Sequence, residues 1–229
     1  MATGNSVNDE IKEQHRLVRE EKTFKEKLAY FFYYYKMHVL VTALIIFGLS
    51  YLIYTYATQK ETVFQVAYIN GFPNVDKELF MDEYTKTIEF DPKKQEVILD
   101  DSFYIDLDNM SMLDEQSAEK IYILASAGEL DACVVDETYF EVLAEGGYLL
   151  NLENVLSAQQ KETYQDKFFY YDSSQNLYEG EELVGIEVTD AAKIVSTESF
   201  PNSKAYFCII VNSEYVDNAL AYLEYLYTP

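Results

Sequence analysis

The sequence predicts an α/β fold: a single N-terminal transmembrane helix followed by a mainly parallel sheet with helices on both faces. Three observations predict it. From Met37 to Gln59 no residue is charged, and Lys36 and Lys60 bracket the run. Beyond it, short β-branched and aromatic runs alternate with amphipathic stretches, the pattern of strand–helix–strand units. The formal charge of −23 is divided unevenly, +1 over residues 1–38 (seven Lys/Arg, six Asp/Glu) and −24 over residues 59–229 (ten Lys/Arg, thirty-four Asp/Glu). The chain therefore reads as a cytoplasmic juxtamembrane helix over 1–36, a transmembrane helix over 37–58 and an extracytoplasmic α/β domain over 59–229.

The apolar core of the uncharged run is Val39–Tyr56. About 20 helical residues cross a ~30 Å hydrocarbon layer, and this run is long enough. Phe31, Phe32, Tyr33, Tyr34 and Tyr35 precede it, and Tyr51, Tyr54 and Tyr56 close it. Such rings, apolar with a polar tip, suit the two membrane interfaces. As a cleaved signal peptide the run is too long and starts too late, and Thr55-Tyr56-Ala57 is a poor cleavage site. Lys22, Lys25, Lys27 and Lys36 precede the run, and Lys60 alone lies close behind it. Basic residues stay inside, so the N-terminus is cytoplasmic and residues 59–229 face outward. Residues 7–35 read as helical, with Val7, Ile11, Val18, Phe24, Leu28, Phe31 and Tyr35 on one stripe. That helix either runs into the membrane helix, its basic residues near anionic headgroups, or docks a cytoplasmic partner.

In the outer domain Glu61–Asn70 is a buried strand stopped by Gly71-Phe72-Pro73. Asn74 caps a helix whose face is Val75, Leu79, Phe80, Tyr84 and Ile88, and Glu96–Leu99 is a short strand. Asp100–Met112 is an acidic loop. A helix with Ala118, Ile121, Tyr122 and Ala125 on one face follows and stops at Gly128. Ala132–Val135, apolar on both faces, is a central strand of a parallel sheet. Glu137–Ala144 is a helix ended by Gly146-Gly147, and Tyr148–Leu152 is extended. A polar helix follows Ser157, then the run Phe168–Asp172 and a turn at Ser173–Asn176. Leu183–Val188 is a strand, Asp190–Val195 a short helix and Ala205–Val211 a long apolar strand. The last helix is capped by Ser213, with Val216, Ala219, Leu220, Leu223 and Tyr227 on its face.

Inventory excludes several functions. An outer domain this acidic repels phosphate backbones, so nucleic acid is not a partner. The histidines, His15 and His38, lie before or at the apolar run, so the outer domain has no histidine for a Ser-His-Asp or Cys-His site or a His-ligated metal. Cys133 and Cys208 fall in two predicted interior strands and read as buried free thiols; a disulfide needs Cα atoms within ~7 Å. Asp100, Asp101, Asp106, Asp108 and Asn109 lack calcium-loop spacing and read as a solvated acidic loop. No pair of carboxylates stands out for hydrolysis, and no cofactor or metal is implied.

Leu124–Leu152 carries a more specific phrase. Ala127-Gly128 ends a helix, Asp131 opens a strand, a helix spans 137–144, and Gly147, Leu149 and Leu152 follow. This resembles the extracellular solute-binding proteins of ABC transporters. Leu183–Val188 is similar to the family's hinge segment, with Glu187 where proline is usual, and Phe207–Tyr225 resembles its returning strand and helix. Fifteen residues, Thr189–Ser203, lie where a second lobe would be inserted. The resemblance therefore implies one periplasmic-binding-protein-like lobe, anchored by a membrane helix.

Ligands of open parallel sheets bind beyond the carboxyl ends of the strands. That rule selects Asn70, Gly71 and Phe72, then Asp136, Glu137 and Tyr139, then Glu187 and Asp190, with Asn70 and Asp136 holding polar groups and Tyr139 stacking. The same residue types serve as turn former, helix cap and core aromatic. The expected function is a non-catalytic, membrane-anchored recognition module for a small solute, peptide or envelope protein partner. The alternative is a structural or regulatory subunit of an envelope complex, whose strand-end surface binds protein. A small polar hollow would favour the solute, a flat Tyr/Phe patch the protein.

Overall fold

The computed structural model describes residues 9–13, 15–16, 23–172 and 180–229. Two compact units, Met1–Gln59 and Lys60–Pro229, make up the chain. In the first, α1 (Phe24–Tyr34) begins at Thr23, whose backbone N–H donates to Glu26 Oε2 (2.9 Å). After Tyr35, α2 (Lys36–Thr58) runs 23 residues without a buried side chain and is long and apolar enough to cross a membrane. Its Thr55 and Thr58 hydroxyls donate back to the carbonyls of Tyr51 and Tyr54, so neither polar group needs water. Val7 and Val18 of the expected stripe lie outside the described residues, as does the expected turn at Ser173–Asn176.

The second unit runs β1 (Glu61–Ile69), α3 (Lys77–Tyr84), β2 (Gln95–Phe103), α4 (Met112–Ala127), β3 (Ala132–Asp136), α5 (Glu137–Glu145), α6 (Ala158–Tyr164), β4 (Phe168–Asp172), β5 (Glu181–Glu187), α7 (Ala192–Ser196), β6 (Ala205–Ile209) and α8 (Val216–Leu226). The six strands form one sheet in the order β2-β1-β3-β6-β5-β4. β1 pairs parallel with β2 and β3; β3–β6, β6–β5 and β5–β4 are antiparallel. The sheet is thus mixed, and the expectation of a mainly parallel one is corrected. A doubly buried apolar strand is what parallel sheets require, but helices cover both faces of β6 as well, so its sequence carries no direction.

Strand alternation divides the core between the two faces. Phe64, Val66, Tyr68, Val134, Ile186 and Phe207 pack with Phe80, Tyr84, Ile194, Tyr222 and Leu223 from α3, α7 and α8. Ala67, Ile69, Cys133, Val135, Val184, Tyr206 and Cys208 pack with Ile121, Ala125, Tyr139, Phe140 and Leu143 from α4 and α5. In the first layer the hydroxyls of Tyr68 and Tyr222 meet at 2.9 Å, both rings fully buried. At the amino end of β3 the buried Asp131 accepts from Gln65 N (2.8 Å) and Ser213 Oγ (2.6 Å).

Local corrections have local causes. β2 continues to Phe103, through residues whose acidity suggests loop; it is an edge strand, where charge is tolerated, and Lys120 and Lys77 pair with Asp100 and Asp101. Asp76, and not Asn74, caps α3 by accepting from Leu79 N, and Leu79, expected on the buried face, is exposed. α8 starts at Val216; Ser213 instead accepts from Tyr215 N and donates to Asp131. Gly128 ends α4 with φ 72°, the left-handed conformation glycine adopts without steric cost.

Candidate functional site

One edge of the sheet gathers the carboxyl ends of β1, β2, β3 and β5 and, because they run the other way, the amino ends of β6 and β4. All eight residues expected at the site belong to segments leaving this edge, but their side-chain polar atoms are engaged: Asn70 and Asp136 bond each other, and Glu137, Glu187 and Asp190 bond neighbours outside the set.

Asn70 follows β1 with φ 57°, a left-handed conformation that asparagine tolerates better than most residues. Its Nδ2 donates to Ile105 O (3.0 Å) and Asp136 Oδ1 (3.1 Å), and its Oδ1 accepts from Ile105 N (2.7 Å). One amide therefore ties the ends of β1, β2 and β3 together. Asp136 caps α5 by accepting from Tyr139 N (3.2 Å). Burial, only partly offset by the Tyr139 N–H and the Asn70 bond, raises its carboxyl above the ordinary aspartate value. Gly71 is buried under Phe200; a Cβ here would come within 2.1 Å of Phe200 Cζ, so that ring would have to move.

The aromatic surface lies where sequence does not put it. Tyr139 is 4 % exposed and belongs to the core, where burial pushes its hydroxyl up to about 12. Phe72 is 51 % exposed and stacks on Tyr104, itself 55 % exposed, with ring centres 6.1 Å apart. Tyr104 also lines an open groove of about 490 Å³ with Ser111, Leu113, Asp114 and Lys120. Leu107, Met110 and Met112 are exposed in the same stretch.

Toward the other end the edge is ionic. Glu137 accepts from Tyr206 Oη (3.3 Å), and Glu187 accepts from Lys204 Nζ (3.1 Å) and Thr189 Oγ1 (3.2 Å). The Glu187 bond raises the Lys204 ammonium, with the nearby Tyr206 and Glu137 adding to it. Burial, then the Glu137 charge, raises the Tyr206 hydroxyl. Asp190 holds Lys167 Nζ in a fork (2.6 and 2.7 Å), and that ammonium also donates to Tyr227 Oη (3.1 Å). Burial pulls the Lys167 ammonium down, but the Asp190 and Tyr227 bonds outweigh it and the net shift is upward.

Sequence reasoning misses Tyr104, Lys204, Tyr206 and Lys167. Tyr104 was within reach, since the strand-end rule selects it once β2 is read to Phe103. The others enter through the amino ends of antiparallel strands, which a parallel sheet does not offer. The acidic loop is bonded internally: Asp106 accepts from Asp108 N and Asn109 N, and among the described residues no three His, Cys, Asp or Glu gather as metal ligands. Compared with family models, curated proteins and solved structures, the chain matches none.

Proposed function

We propose that the chain is a membrane-anchored, non-catalytic recognition protein whose strand-end face binds an envelope protein partner. The observation that carries this reading is the stacked Phe72–Tyr104 pair, exposed beside an edge whose polar groups bond one another. Aromatic side chains and methionine are enriched where protein interfaces bury their cores. Leu107, Met110 and Leu113, also exposed, extend the apolar material beyond the pair. The lysines before α2 support a cytoplasmic N-terminus with residues 59–229 outside.

A photoreactive amino acid at Tyr104 in the full-length chain, in native membranes, tests the reading. A discrete protein adduct, lost with Phe72→Ala, is the expected result; no adduct, or one indifferent to Phe72, removes the proposal. Protease added to intact cells tests orientation, and a protected 59–229 domain reverses it.

The solute-binding reading keeps one observation of its own. The three segments that carry the family resemblance, 124–152, 183–188 and 207–225, supply the adjacent strands β3, β6 and β5. A rise in melting temperature with one class of sugar, amino acid or peptide, absent with the others, would support it over the partner reading.

A further inference from the structure

Cys133 and Cys208 are the two cysteines of the chain. They stand directly opposite each other on the antiparallel neighbours β3 and β6. Both side chains enter the same core layer, beside Ala67, Val135 and Tyr206, and neither is accessible to solvent. Ile210 N donates to Asp131 O (2.9 Å), and one ladder repeat further along is the 133/208 pair. The two cysteines therefore form a hydrogen-bonded pair, whose Cα atoms lie about 5.5 Å apart, inside the range of bridged cysteines, and whose Cβ atoms, about 5 Å apart in such a pair, have to close by about 1 Å to bridge. In the structure both are free, buried thiols, as the sequence led one to expect; Cys208 Sγ donates to the Cys133 carbonyl oxygen (3.8 Å), and the Cys208 thiol, with burial, raises the Cys133 thiol.

We infer that Cys133 and Cys208 are joined by a cross-strand disulfide in the mature protein, tying residues 75 positions apart in sequence. The oxidant is a disulfide, either of a small thiol or of a thiol oxidoreductase. One cysteine thiolate attacks it, breaking the oxidant's S–S bond, releasing one thiol and leaving a mixed disulfide. The second cysteine attacks the protein sulfur of that intermediate, forms the Cys133–Cys208 bond and releases the second thiol. The protein gives up two electrons, the oxidant's disulfide is reduced to two thiols, and the two cysteine protons leave on them. Only thiolates attack, and the neighbouring thiol and burial hold the folded Cys133 in its protonated form. Oxidation therefore belongs to folding, before α4 and α5 cover the pair.

The test uses the full-length chain in detergent, unfolded in urea and returned to native buffer with reduced and oxidised glutathione, then denatured with N-ethylmaleimide. The expected product carries no maleimide, is two hydrogens lighter than the reduced chain and yields a linked peptide containing both cysteines. A dithiothreitol control takes two maleimides. The Cys133→Ala/Cys208→Ala variant, carried through the same cycle, reports whether the domain refolds without a bridge. Two maleimides on refolded protein, a retained glutathione or a disulfide-linked dimer overturns the inference. A second readout is the urea midpoint, which dithiothreitol should lower in the oxidised wild type and leave unchanged in the double variant; an unchanged wild type counts against the bridge.

Discussion

At the β1–β3 end of the sheet edge, Asn70 makes three hydrogen bonds in a left-handed conformation, two of them to the backbone of Ile105, two residues past the end of β2. At the β5–β4 end the connections are ion pairs between lysines and Glu187 or Asp190, with Asp190 69 % exposed on its side chain. Both ends look polar in sequence, but they differ in what removing one residue leaves behind. Losing Asn70 leaves the Ile105 N–H without its acceptor in a part-buried site; losing Asp190 leaves an ammonium that water can solvate. An uncompensated buried donor costs about 1–3 kcal/mol, whereas an exposed ion pair contributes roughly 0–1 kcal/mol. The first end should behave as architecture and the second as adjustable surface.

The sharpest way to break this contrast is Asn70→Ala, which removes three bonds and forces a Cβ-bearing residue without a side-chain partner to keep positive φ. A loss of about 3 kcal/mol in chemical denaturation is expected. Asn70→Gly should recover about 1 kcal/mol of it, since glycine accepts that backbone without the steric term. Gly71→Ala comes next: Phe200 has to move, and overpacking of this kind costs about 1–3 kcal/mol. Equal tolerance of Asn70→Ala and Asp190→Ala would end the comparison, because Asp190→Ala should change stability by no more than about 1 kcal/mol.

Acidity separates the ends by a different route. The folded Asp136 carboxyl titrates above its unfolded value of 3.8, so the folded state binds the extra proton. Its contribution to stability therefore falls as pH rises from 3.8 through the raised value. Lys167, raised above 10.5, loses its contribution only as pH rises through the alkaline range. Urea midpoints measured against pH should show the acid-range decline flattened by Asp136→Asn and unaffected by Lys167→Met. A flattening by neither variant would place the titration elsewhere.

Much of the fold is legible in sequence because its signals are local. β1, β3 and α5 sit within a residue or two of where apolar runs and caps put them, and Gly128 marks its helix end through one backbone torsion. The direction of β6 is not local. AYFCI reads the same beside a parallel or an antiparallel neighbour, since both of its faces are covered. For β4 and β5 the signal existed: only residues 173–180 separate them, too few for the crossover that parallel neighbours need. The site was half legible for the same reason. Asn70 and Asp136 follow from the strand-end rule, but Lys204 and Tyr206 depend on knowing that β6 starts where β3 ends.

The Tyr68–Tyr222 hydroxyl pair carries a consequence for how this domain drifts over evolutionary time. With both rings fully buried and their oxygens 2.9 Å apart, positions 68 and 222 act as one locus. A single Tyr→Phe step at either leaves the other hydroxyl without its partner inside the core, a disadvantage of about 1–3 kcal/mol. The double step removes both hydroxyls and is close to neutral. Lineages that keep this core should therefore carry tyrosine at both positions or phenylalanine at both, with the mixed states crossed quickly and seldom preserved.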